Sequence, residues 1–230
     1  MKGMVIVGLL LLSGCASQTK VDTREGDLIA MNNNQGLSVY YQKQLQSDPN
    51  NTVLMAKIVK NYLKLDDIES ALFYTKHLID LGYDDSGFLY LAGNVYMASE
   101  QYLLAVDTFQ AAQDKGYNKA ELNISLGVLY SSLQEFDKAL EQFNRARLKG
   151  FDDVAIKNNI AVIYIAKQEY KKAIAMLTPI YERVPDNERL RMNLAVALIR
   201  VKDYKNAREI LSSDYSDAEF SQLVTTIKVL

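Results

Sequence analysis

A single cysteine, Cys15, stands behind an apolar run, Met4 to Leu12, in a chain of 230 residues. One thiol cannot close an internal disulfide, so the chemistry open to it is that of a structural, reactive, ligated or covalently modified sulfur. The other chemistry-bearing residues are thinly spread. His77 is the one histidine and sits beside Lys76 on a polar face, so the paired His and Cys sets that hold zinc cannot be assembled. No Gly-rich phosphate loop follows a strand, no nucleophile motif occurs, and no carboxylate pair stands apart from the general acidic surface. The sequence therefore predicts no catalytic residue, no metal, no cofactor and no small-molecule substrate.

The surroundings of Cys15 point to modification. Lys2 supplies a positive start, and Ser13, Gly14, Cys15, Ala16 and Ser17 follow the apolar core. That is the plan of a secretory signal peptide, with a core well short of the roughly 20 residues that span a bilayer. Leu12-Ser13-Gly14-Cys15 resembles the bacterial lipobox, whose cysteine is lipidated and becomes the first mature residue. An ordinary signal peptide with a cysteine at its cleavage site is the alternative. The lipobox resemblance implies a diacylglycerol thioether and an acylated amine on Cys15, several chains together holding stably where one would not. With Ala16 rather than Asp next, it also implies attachment to the outer membrane, facing the periplasm. Residues 1–14 are then the signal peptide and 15–35 a lipidated cysteine with a flexible tether, given the polar residues and the run Asn32-Asn33-Asn34. A short helical turn at Ile29, Ala30 and Met31 is the most order expected there.

Composition supports one globular body over 36–230. Hydrophobic residues are 49% and charged ones 23% of the chain, and the net charge is −2. A sizeable core can be buried, and the strongly basic face that nucleic-acid binding wants is lacking.

The elements that carry this core repeat every 34 residues without an insertion. Ala71, Ala105, Ala139, Ala173 and Ala207 form one column, and Val59, Gly93, Gly127, Ala161 and Ala195 a second. Tyr62, Tyr96, Tyr130, Tyr164 and Leu198 form a third. These columns resemble the tetratricopeptide repeat, in five copies at 52–85, 86–119, 120–153, 154–187 and 188–221. The resemblance implies an all-α superhelical solenoid of five antiparallel helix pairs, A and B, with capping helices at both ends. The N-terminal cap is expected as a lone helix over 36–47. The C-terminal one should begin with Asp217 as N-cap and shorten helix B of the fifth copy. Gly127 is expected to face Ala139 where the two helices cross, and Gly82, Gly116 and Gly150 to end B helices in the left-handed conformation.

Ligands of this family contact the inner face of the A helices. At those positions stand Tyr90, Asn94, Met97, Ile124, Val128, Asn158, Val162, Met192 and Val196, more apolar than a solvated face needs to be. They are read as a peptide groove, with Asn94 and Asn158 fixing a peptide backbone. The competing reading is that many of them are core. Over the whole chain, a lipobox, a polar tether and repeats such as Ile156 to Ile180 resemble the TadD type of tight-adherence (Tad/Flp) pilus lipoproteins. Type IV pilus pilotins share the architecture. That resemblance implies a lipid-anchored assembly factor whose protein partner is a secretin or another pilus component. A periplasmic adaptor that scaffolds peptidoglycan hydrolases is the alternative.

Overall fold

The computed structural model describes residues 23–229, so the signal peptide and Cys15 lie outside the described residues. Thirteen α-helices follow one another, and no strand occurs among the described residues. Five A/B pairs stack as α3 (Thr52–Lys64) with α4 (Ile68–Asp80), α5 (Ser86–Ala98) with α6 (Tyr102–Asp114), and α7 (Ala120–Ser132) with α8 (Phe136–Leu148). After them come α9 (Asp153–Ala166) with α10 (Tyr170–Tyr181) and α11 (Glu188–Arg200) with α12 (Tyr204–Ile210). Ahead of them lie α1 (Thr23–Ala30) and α2 (Asn34–Ser47), and α13 (Asp217–Val229) closes the far end.

The tether expected over 15–35 thus gives way to helix at Thr23, and α2 is not a lone cap. α1 and α2 form a sixth, shortened A/B pair. Its signature is the turn: Asn32, Asp66, Glu100, Gln134, Gln168 and Lys202 all have positive φ, between 50° and 67°. They recur at the 34-residue interval. Each ends an A helix by the same closure, as where the Asp67 N–H donates to the Tyr62 carbonyl at 3.0 Å. Glycine takes that conformation only where B helices end, at Gly82, Gly116 and Gly150.

Close packing explains the small column, and the nearest neighbour of each of its glycines is a phenylalanine ring. A Cβ on Gly127 would lie 2.4 Å from the Phe143 ring, and one on Gly93 2.5 Å from Phe109. Both rings are buried, and glycine is the seat each rests on. A mid-helix glycine costs about 1 kcal/mol against alanine, and the buried ring offsets it.

The fifth pair ends early. α12 has 7 residues, and Arg191 grips Asp214 with hydrogen bonds of 2.8, 2.9 and 3.1 Å while donating to the Pro185 carbonyl. α13 then starts from a capping box one residue ahead of Asp217: the Ser216 N–H donates to Glu219 at 2.7 Å, and the Glu219 N–H to Ser216 Oγ. The Ser216 hydroxyl also donates to the Glu219 carboxylate at 2.6 Å, and that bond, with the one from the Ser216 N–H, holds the Glu219 carboxyl below its ordinary range. Pro179 lies inside α10, which continues to Tyr181. Among the described residues no helix is long and apolar enough to cross a membrane.

Candidate peptide groove

A helices form the inner row. From α3 onward each packs on its own B helix, on the B helix before it and on the next helix of the row, whereas B helices make no comparable contact with one another. The array therefore closes on the A side and opens on the B side, which curves it around the A-helix face. His77 lies outside this face, exposed on α4.

On the inner row the candidate residues fall into two groups. Val128 and Val162 are exposed, at 37% and 41%. Tyr90, Met97, Ile124, Met192 and Val196 are half-buried, each with part of its side chain packed on the core below. Of their neighbours in the same columns, Ile199 is 1% exposed and belongs to the core outright. Tyr90 also stacks on Tyr117, ring centroids 4.6 Å apart and planes 11° from parallel. Burial pushes the Tyr117 hydroxyl up to about 12.

The asparagines are tied into the row itself. Asn94 Nδ2 donates to the Tyr90 carbonyl at 2.9 Å, and its Oδ1 accepts from Ser125 of the next A helix at 3.0 Å. Asn158 Oδ1 accepts from Asn193 of the following A helix at 2.9 Å. At the N-terminal end, Asn61 Nδ2 reaches the Asn34 carbonyl at 2.8 Å and Ser38 Oγ at 2.7 Å. These bonds are rungs between neighbouring repeats, so Asn94 spends its amide on register before any ligand arrives. Sequence reasoning had no way to pair residues 31 and 35 positions apart through one amide.

A second feature escaped it as well. Glu25 of α1 accepts from Tyr41 Oη at 2.8 Å and pairs with Lys57 Nζ at 2.8 Å. Burial, then the Glu25 contact, raises the Tyr41 hydroxyl well above its usual value. With Lys60, Asn61 and Lys64 these residues line an open cleft of about 210 Å³ at the first A helices. The spacing of Lys57, Lys60 and Lys64 put them on one helix face, but only α1, not expected as a helix, turns that face into a cleft.

Sequence profiles described as tetratricopeptide repeat match residues 90–153 and 164–222, together more than half of the chain. Among solved structures, a tetratricopeptide repeat protein from Parabacteroides merdae superposes with a TM-score of 0.71 at 13% identity, over 90% of this chain and 84% of that one. YrrB, described as a tetratricopeptide protein with an unusual peptide-binding site, gives 0.57 at 19% identity, over 83% of this chain and 98% of its own. TTC0263 from Thermus thermophilus gives 0.59 at 21%, over 76% and 95%. No curated protein is matched by this sequence. At these identities the solved structures speak for the fold.

Proposed function

The chain belongs to the tetratricopeptide repeat family, a fold that serves as a protein-interaction scaffold, and from that premise we propose that it is a lipid-anchored assembly factor of the bacterial envelope. In this reading Cys15 carries the lipid and the outer membrane holds it. The A-helix face then receives a segment of a secretin or another pilus-system component, as a pilotin does. The observation that carries the proposal is the pairing of Leu12-Ser13-Gly14-Cys15 behind an apolar core with a solenoid whose inner row exposes Val128 and Val162. An apolar strip framed by polar rungs suits one side of an amphipathic partner helix. The lipid would carry the bound segment along the route that the anchor follows.

Two variants test the two halves. Cys15→Ser should abolish labelling by a fatty-acid analogue and leave the protein off the outer membrane; undiminished labelling removes the anchor. Val128→Glu with Val162→Glu should keep helicity and lose secretin assembly in the envelope. Loss of helicity instead would make the two valines core, and normal assembly would take the secretin out of the proposal. Envelope crosslinking that returned hydrolases in place of a secretin would favour the adaptor reading.

A further inference from the structure

We infer that the N-terminal end of the groove reads acidic side chains, so that the segment bound there has an acidic end followed by an apolar body. The inference rests on the A-helix face being the binding surface and adds the chemistry and direction of what it binds.

The chain itself displays the chemistry. Glu25 already seats a carboxylate between Lys57 Nζ and Tyr41 Oη in the cleft. Lys60 and Lys64 extend the same stripe of α3, both exposed, and neither has an ion pair among the described residues. Beneath them Asn61 is 4% exposed, and its buried Oδ1 has no hydrogen-bond partner among the described residues. A buried acceptor without a donor is costly to leave so. A shift of the side chains that cover it would let a peptide N–H satisfy it, while neighbouring carboxylates meet the two lysines. Beyond the cleft, the inner row passes through Tyr90, Ile124, Val128 and Val162, none of them charged. In the columns of Lys60 and Lys64 the next basic side chain is Arg200 at the far end of α11, where it lies over the Tyr170 ring. The lysine pair therefore stands at one end of an uncharged stretch and orients the guest: acidic residues over α3, apolar residues over α5 to α9. Exposed ion pairs add little affinity singly, so the lysines act mainly on direction and choice of partner.

The test is a random-sequence peptide library displayed on phage and panned on the purified chain, on Lys60→Glu with Lys64→Glu, and on Val128→Glu with Val162→Glu. All four side chains are exposed, and melting curves check that each variant keeps the parental fold. The parent should select peptides with Asp or Glu clustered at one end of an apolar stretch. Lysine reversal should erase the acidic cluster and weaken a selected peptide about tenfold or more. Peptides that need the two valines but show no acidic end would overturn this inference and leave the groove standing. Peptides that bind the valine variant as well as the parent would overturn both. Binding of the parent to phosphatidylglycerol vesicles through Lys60 and Lys64, without acidic selection, would give the cleft to a lipid surface and end the inference too.

Discussion

The middle of the array and its first pair lock A to B at the same position with opposite chemistry. In α5/α6 and α7/α8 the A helix offers glycine and the B helix a phenylalanine that rests on it. In α1/α2 the residue in the glycine column is Glu25, and the one in the phenylalanine column is Tyr41, joined by a 2.8 Å hydrogen bond. The C-terminal pairs take a third course, with Ala161 and Leu177, then Ala195 and Leu211, in those two columns, all four buried. From α5 onward a smaller A residue goes with a larger B residue, whereas α3/α4 reverses the sense with Val59 on A and the smaller Thr75 on B, both buried. The volume of the pair is what the fold holds, and the atoms that supply it vary. The apolar version carries the core; the polar version fastens a helix that has no buried residue of its own.

Removing the large partner from the middle should do most damage. Phe143→Ala should cost about 3–5 kcal/mol in denaturant unfolding, and because repeats stabilise one another through their interfaces the loss should reach neighbouring pairs. A smaller effect comes from the other side of the lock. Gly127→Ala drives a methyl toward the ring and should destabilise by about 1–3 kcal/mol despite the better helix propensity. Adding Phe143→Leu imports the C-terminal solution and should recover much of that loss. A double-mutant cycle with no coupling between the two would break the volume argument.

At the first pair, Glu25→Ala should cost roughly 1 kcal/mol, since it removes the hydrogen bond from Tyr41 and the half-exposed ion pair with Lys57. The loss should appear as faster amide exchange across 23–30 with the main melting transition almost unmoved. A large drop in the main transition would mean the polar lock carries as much as the apolar ones.

The smallest effect is alkaline. Tyr41 and Tyr117 both have hydroxyls raised above 10.0 by burial, Tyr117 to about 12. The folded chain then keeps these protons at pH values where the unfolded chain has lost them. Stability is intact below about pH 10 and falls as pH climbs through the window to about 12. Tyr117→Phe should flatten part of that fall in urea midpoints, and an unchanged slope would remove Tyr117 from the account.

Much of this was written in the 34-residue columns. They placed the five A/B pairs and the glycine-ended B helices because packing and backbone conformation restrict residue type there. The sixth pair was hidden by the same logic: a search for small residues passes over Glu25, though Leu28 and Leu37 keep to their columns. The A-to-B turn left no trace either, since its positive φ is met by Asn, Asp, Glu, Gln and Lys. On the candidate site, residue type found the apolar strip but could not separate exposed Val128 from the Asn94 amide already spent on Ser125. That difference depends on where one helix sits against the next, which no single repeat encodes.

The one-sided stacking has a mechanical consequence. Contacts run continuously along the A row, while the B helices lack a row of their own. The A row is then the neutral line of a leaf spring. Splaying the B helices bends the array and changes its curvature without breaking contacts between them, because there are few to break. Low-frequency flexing of this kind would let one solenoid take partners of different girth, with the rungs Asn94–Ser125 and Asn158–Asn193 limiting how far the leaves slide.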